Sequence, residues 1–401
     1  MIKQIVYGQG SPFQIGLAHG RAAGQAVRAN LRAFWRGVAD LGLKRGELLR
    51  WARRALSRGA FSPATEEEIA GIAEGAGVEY DDLLALNLYH GLLAPEGCTV
   101  MMAVGSASAT GDTIFAKNSD KVGGESLVGP NFYKNKEINV ILFAEREDGH
   151  KIVGVSAAGT TGLKMGMNNK AMAAGTNIAR TEEMYQKNLD LTSIRAADRA
   201  QLIRDGLEKD DPLEATNLVV EKLLSNPTAT PGNVEFAGPK IAYIIEGSYD
   251  RVSVKKVVDD VDSRSNCFIV LKALNKSDDV SSVCRYVRTQ EVLLGKKGSV
   301  TKEDMIALSM DHANGPGPNS ICRHGNDFRE ETSLAAMVME LNSREPARSR
   351  FAIALGKPCH SWRHPKGHVE LDMTLRREDI PEGFLNGETF KEFYTEEPWK
   401  E

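Results

Sequence analysis

The run Ala94-Pro95-Glu96-Gly97-Cys98-Thr99-Val100-Met101-Met102-Ala103-Val104 divides the chain into two regimes. Before it the pattern is helical. Ser11-Pro12 and Ser62-Pro63 each place a hydroxyl cap before a proline at the first helical position. Ile15, Ala18, Ala22, Ala26, Leu31, Trp35 and Val38 then recur at helical spacing. Glu66 to Glu68 lie in a first turn, where the helix dipole favours them. Asp81-Asp82 opens a third helical stretch through Leu84, Leu86, Leu88 and Leu93, and Ala94-Pro95-Glu96-Gly97 stops it. From Cys98 the pattern becomes that of strands, expected over 99–104, 113–116, 139–144, 152–156, 163–167 and 171–176. Turn residues at Gly111-Asp112, Glu147-Asp148-Gly149-His150 and Asn168-Asn169 join them as hairpins. A helical pattern follows over 191–225 with a break near Asp211-Pro212, then a loop over 225–232. Strands are expected at 241–247, 252–258 and 267–271, and helices at 280–295 and 301–312, the second capped by Thr301. Strands at 334–341, 350–355 and 368–374 close the series. Blocks of helices and hairpin-linked strands predict an α+β layered fold, not a doubly wound parallel sheet.

Composition narrows the function classes. The 401 residues are 42% hydrophobic and 26% charged, enough apolar content for a large core and too much for a disordered chain. Fifty basic against 54 acidic residues leave a net charge of −4, so no basic field attracts a phosphate backbone and no nucleic-acid partner is expected. No run approaches the ~18 apolar residues of a membrane helix, and the opening residues lack a secretory apolar region. Five cysteines (Cys98, Cys267, Cys284, Cys322 and Cys359) form no CxxC pair and no disulfide framework, which fits a cytoplasmic location.

Two further patterns lead to no ligand. In Cys359-His360-Ser361-Trp362-Arg363-His364-Pro365-Lys366-Gly367-His368 the histidines recur every four residues, but Pro365 breaks the helix that would align them. The stretch reads as a loop with Pro358 and Trp362 packed over the core, so no metal and no cofactor are expected. Gly8-Gln9-Gly10 has no convincing strand before it and no third glycine in register, so it is no dinucleotide fingerprint. Glu66-Glu67-Glu68 and Arg376-Arg377-Glu378-Asp379 read as solvated faces.

By position alone, Cys98 is either a small buried hydrophobe or a nucleophile. Neighbouring motifs favour the second. Gln9-Gly10-Ser11-Pro12-Phe13-Gln14-Ile15-Gly16 with His19-Gly20, then Gly97-Cys98-Thr99, Asn118-Ser119-Asp120, Ser265-Asn266-Cys267, Ser320-Ile321-Cys322-Arg323 and Ala354-Leu355-Gly356-Lys357-Pro358, follow one another along most of the chain. In kind and order they resemble the acyl-CoA:6-aminopenicillanic acid acyltransferase family of N-terminal-nucleophile (Ntn) hydrolases. The resemblance implies an αββα four-layer sandwich, with residues 1–97 a helical segment that becomes a small subunit and 98–401 the catalytic domain. It also implies cleavage before Cys98. The Cys98 sulfur attacks the Gly97 carbonyl and water hydrolyses the thioester, leaving two associated fragments.

That chemistry has a physical rationale. A thiol of pKa about 8.5 needs a base, and a peptide nitrogen accepts no proton. Cutting the bond turns that nitrogen into an α-amine of pKa near 8, of which roughly a tenth is neutral at pH 7. Gly97 lets the thiol approach its carbonyl because it lacks a Cβ. The resemblance assigns Asp120 to hydrogen-bond the new amine, Asn266 to the oxyanion hole, Asn177 to a second site asparagine and Arg323 to a place beside the nucleophile. Lys117 stands where bile-salt and penicillin V hydrolases carry arginine, and Ser320 is expected to line the pocket. Without the resemblance, Asp120 fits a turn, Asn266 a strand-end cap and Arg323 a surface ion pair. The expected substrate is a small linear amide or an acyl-CoA-like molecule, attacked by Cys98 and passed to water or another acceptor. Alternatives are a cysteine dipeptidase or secernin-like peptidase, suggested by Gly111-Asp112-Thr113 leading to Lys117-Asn118-Ser119-Asp120, and an unprocessed binding or scaffold protein.

Overall fold

The computed structural model describes residues 5–40, 42–93, 96–122, 139–186, 198–225, 231–325, 331–365 and 367–379. Ala94-Pro95, the start of the helical stretch expected from 191, and most of the loop expected over 225–232 lie outside them. Among the described residues the strands form two sheets. The first contains β1 (Ile5–Gly10), β4 (Asn139–Arg146), β5 (Lys151–Ala157), β6 (Met165–Asn168), β7 (Met172–Ile178), β8 (Gly232–Ala237), β9 (Ala242–Gly247) and β10 (Val252–Val257), side by side in that order. The second runs in the order β11 (Val261–Arg264), β2 (Glu96–Ala103), β3 (Ile114–Val122), β12 (Glu331–Glu340), β13 (Arg350–Leu355) and β14 (His368–Asp372). Every pairing is antiparallel except β1 with β4.

The layers follow from which alternate residues each strand buries. Val100 and Met102 of β2 join Phe115, Ile141, Phe143, Val153, Met337 and Ile353 in a core between the sheets. Their neighbours Met101 and Ala103 instead pack with Leu293, Met305 and Leu308, from α8 (Val280–Gly295) and α9 (Lys302–Ser309). On the far face of the first sheet, Val140, Leu142, Ala174 and Phe236 meet helices. These are α1 (Pro12–Asp40), α2 (Arg45–Leu56), α3 (Pro63–Ala76), α4 (Tyr80–Leu93), α6 (Arg199–Leu207) and α7 (Pro212–Ser225). Two short helices, α5 (Glu182–Gln186) and α10 (Pro358–Ser361), complete the set. Strands apolar on both faces, with helices outside each sheet, make an α+β, four-layer αββα sandwich.

Several expectations need correction, among them the solvated Glu66-Glu67-Glu68 face: Glu68 is buried and pairs with Arg204 at 3.2 Å. A strand, β1, does precede and include Gly8-Gln9-Gly10; its partner β4 lies far along the chain, and no local pattern signals such a pairing. The residues before Cys98 therefore supply an edge strand and an outer helical layer, so the sandwich is not built only from the segments after Cys98. β8 falls where no strand was expected. Conversely, residues 267–271 form no strand. Their amides go to side chains: Phe268 N donates to Asn275 Oδ1, and Ile269 N, Val270 N and Leu271 N donate to the Glu246 carboxylate. β11 pairs with β2 in their place.

The His19-Gly20 pair serves packing. α1 and α3 touch backbone to backbone: a Cβ at Gly71 would overlap the Phe13 carbonyl oxygen, and one at Gly20 would lie 2.7 Å from Ala76 N. His19 is fully buried, accepts from Gly159 N at 3.2 Å, and is pushed down to about 4 by burial and by Arg204, so its ring is neutral.

Candidate active site

Cys98 lies on β2 opposite β3, two residues before Val100, where the pairing with β11 ends; its side chain is on the same face as Val100 and Met102 and so turned toward the first sheet. Gly97 is opposite Asp120 and Cys98 opposite Ser119, which puts Asn118-Ser119-Asp120 in mid-strand. The turn that the spelling also allowed does not form, and the side chains of Asn118 and Asp120 take buried partners instead. Asn118 Nδ2 donates to the carbonyls of Ser309 and Ile321, at 2.8 and 3.0 Å. Asp120, fully buried, accepts from Ser333 Oγ at 2.7 Å through Oδ1, and its Oδ2 lies 3.7 Å from Arg323 Nη1.

The backbone N–H of Cys98 donates to Asn266 Oδ1 at 3.0 Å. The other end of that amide donates to the Ile178 carbonyl at 2.9 Å, so Asn266 presents an acceptor, not a donor, to the junction. Arg285 completes the grip: Nη2 donates to Asn266 Oδ1 at 2.7 Å, and Nη1 donates to the Cys98 carbonyl at 2.6 Å and to Thr99 Oγ1 at 3.0 Å. Burial, then the neighbouring Arg323, pushes the Arg285 guanidinium down to about 10.

Arg323 is 1% exposed. Its Nη2 donates to Glu331 Oε2 at 2.9 Å and Ser281 Oγ at 3.3 Å, while its backbone N–H donates to Ser333 Oγ at 3.0 Å. Ser333 sits beside a register shift in β12 and ties Arg323 to Asp120. Glu331 also pairs with Arg180; burial raises its pKa, but the charges of Arg323, Arg180 and Arg285 outweigh that and hold the carboxyl below its usual range. A Cβ on Gly97 would overlap Arg323 Nη1 and lie 3.0 Å from Asp120 Oδ2. The residue before Cys98 thus faces a buried guanidinium–carboxylate pair that leaves no room for a side chain.

The other expected site residues lie farther from this grip. Asn177, fully buried on β7, donates to the Arg264 carbonyl at 3.4 Å. Gly175, two residues before it, packs against Val100, so Asn177 and Cys98 sit at the same end of the facing sheets. Lys117 points between the sheets, donates to the Lys164 carbonyl at 2.7 Å and lines a polar cavity with Lys164, Thr176, Arg199, Gln201 and Asn87. Ser320 Oγ is engaged in its own loop with the carbonyls of Asp311 and Cys322, at 2.8 and 2.6 Å.

Sequence reasoning missed Arg285, Ser333 and Glu331. Serine and glutamate in a strand carry no signal. Arg285 carries a faint one: on α8 the inward face is Ser282, Arg285, Thr289 and Leu293, while Val280, Val283, Val287 and Leu294 are exposed. A helix with its apolar stripe turned outward buries its polar face for a reason other than core packing.

No family model matches the sequence. An uncharacterized protein of Archaeoglobus fulgidus is 28% identical over 195 residues, which are 44% of this chain and 33% of that protein, so the match spans about a third of the relative's length. Among solved structures, the chain is similar to the Caenorhabditis elegans ortholog of N-acylethanolamine-hydrolyzing acid amidase, at 16% identity and a TM-score of 0.38, covering 62% of this chain and 93% of that one. It is also similar to a mutant of the conjugated bile acid hydrolase from Clostridium perfringens, at 11% identity and a TM-score of 0.40, covering 71% and 94%. Among the described residues no helix is long and apolar enough to cross a membrane, and all five cysteines are free.

Proposed function

We propose that the chain is a self-processing cysteine amidohydrolase or acyltransferase of the Ntn kind. Cys98 cuts the Gly97–Cys98 bond and then serves as nucleophile toward a small linear amide or acyl-CoA-like substrate. One observation carries this reading: the Cys98 nitrogen is held by the Asn266 side-chain oxygen at 3.0 Å, and the buried Asp120–Arg323 pair stands across the same junction. A peptide nitrogen that merely continued a ladder would need none of these partners.

In the precursor the Cys98 sulfur adds to the Gly97 carbonyl carbon, the C–N bond breaks, and the nitrogen leaves with a proton. Water then hydrolyses the Gly97 thioester. The freed amine keeps Asn266 Oδ1 as acceptor and gains the proximity of Asp120, which stabilises its protonated form. In turnover the neutral amine takes the thiol proton as sulfur attacks the substrate carbonyl, and returns it to the leaving amine. Arg285 and Arg323 supply the positive field that favours a thiolate. Both fragments would stay together, because β1 pairs with β4 and α1 to α4 share a core with the first sheet.

Intact-mass and N-terminal analysis of purified protein tests this. Fragments of about one quarter and three quarters of the chain are expected, the larger beginning at Cys98, with Cys98→Ala remaining whole. A wild-type chain that stays whole on prolonged incubation, or a Cys98→Ala chain cut at the same place, overturns the reading.

A further inference from the structure

Outside the Cys98 site, one group of side chains among the described residues is arranged as metal ligands. His312 and Cys322 come from the turn-rich segment after α9, His324 follows two residues on, and Cys359 comes from α10. The four candidate ligand atoms lie within 4.8 Å of one another. His324 Nε2 is 3.1 Å from Cys359 Sγ and 3.8 Å from Cys322 Sγ. A tetrahedron with Zn–S about 2.3 Å and Zn–N about 2.0–2.1 Å has ligand separations of roughly 3.3–3.8 Å, so small adjustments close the shell. His312 Nε2 is buried with no hydrogen-bond partner among the described residues, an orphan that a metal bond would satisfy.

We propose that His312, Cys322, His324 and Cys359 form a Cys2His2 zinc site that braces the segment carrying Arg323. Binding releases two thiol protons, and two thiolates neutralise the divalent ion, which suits a largely buried position. Two thiolates and two imidazoles favour zinc over the oxygen-seeking cations, and four protein ligands leave no open position, so the ion is structural. The histidine-rich stretch 359–368 contributes only Cys359, and the fold brings the other three from 312–324. Cys322 and His324 flank Arg323 on both sides. A metal holding them fixes where the guanidinium stands, whether or not the chain cuts itself.

The test is metal content and hydrogen exchange on the full chain. Purified, untagged protein is expected to hold one equivalent of zinc. Cobalt exchanged into it should show a thiolate charge-transfer band and the intense visible bands of a tetrahedral ion. Cys359→Ser and His312→Ala should weaken zinc binding at least about tenfold, while Cys284→Ser, outside the cluster, keeps the metal. In the wild-type chain, which avoids any folding defect of the variants, chelation should speed amide exchange across 311–325 at least about tenfold and leave β4 and β5 unchanged. Zinc-free protein after growth in zinc, a Cys322–Cys359 disulfide in its place, or metal content indifferent to Cys359→Ser overturns the site. Unchanged exchange across 311–325 on chelation overturns the brace.

Discussion

Gly97→Ala is the most direct probe of the junction. Gly97 lies in a regular strand register opposite Asp120, so alanine fits the backbone and any effect comes from what its methyl meets. The added Cβ overlaps Arg323 Nη1 and approaches Asp120 Oδ2 and Cβ to 3.0 and 3.1 Å, against the ~3.5–4.0 Å of a relaxed contact. The guanidinium must retreat by more than about 1 Å, yet Nη2 is tied to Glu331 and Ser281 and the side chain is 1% exposed. Overpacking of this kind costs about 1–3 kcal/mol of stability. A misplacement of about 1 Å beside a reacting group slows it on the order of a hundredfold. On the proposed self-processing, the assay is the fraction of chain cut against time, read by intact mass from freshly made protein. A paired variant separates two causes. Arg323→Lys in the Gly97→Ala background removes the overlap and should restore part of the rate, whereas it would restore nothing if the methyl simply blocked the sulfur's path. Cleavage of Gly97→Ala at the wild-type rate would refute the coupling of Arg323 to the junction.

Other consequences arise from groups far from the Gly97–Cys98 junction. Burial lifts the Glu235 carboxyl to about 8, against the lowering pull of Lys117, Arg264 and Arg199. Because its folded pKa lies above its unfolded value near 4.5, its favourable contribution is complete below that pH and is lost as pH rises toward 8. Glu235→Gln should flatten the thermal midpoint between about pH 5 and 8 and gain a few kcal/mol at the upper end; an unchanged slope would place the carboxyl in a different state. Gly71→Ala sets a methyl against the Phe13 carbonyl and 2.7 Å from Leu17 N, backbone atoms that cannot swing aside, and should cost about 3 kcal/mol in denaturant unfolding. Gly46→Ala in α2, where the nearest atom is 3.8 Å away, should instead stabilise by about 0.5–1 kcal/mol.

What the sequence made legible was whatever short-range physics encodes. The change of period at Cys98, the hairpins of the first sheet, helix 280–295 and the Thr301 cap of the helix after it are local patterns, and each appears where expected. β1 was illegible because its only reason to be a strand is a parallel partner far along the chain. Residues 267–271 misled for the opposite reason: they have the composition of a strand, but Asn275 takes the amide of Phe268 and Glu246 those of Ile269, Val270 and Leu271, so these amides are not offered to a ladder. The order of motifs located Cys98, Asp120, Asn266 and Arg323 along the chain. It could not state which atoms they present, and Asn266 offers its oxygen where a donor was expected.

Helix α8 shows why the supporting residues stayed hidden. Periodicity alone would turn Val280, Val283, Val287 and Leu294 inward, yet these are exposed while Arg285 is fully buried. Burying a guanidinium is costly unless its donors are satisfied, and here the Cys98 carbonyl, Thr99 Oγ1 and Asn266 Oδ1 satisfy them. The helix is therefore oriented by the strand it serves and not by its own apolar stripe. An inward polar face of that kind is a functional signal which becomes readable only once the register of β2 is known.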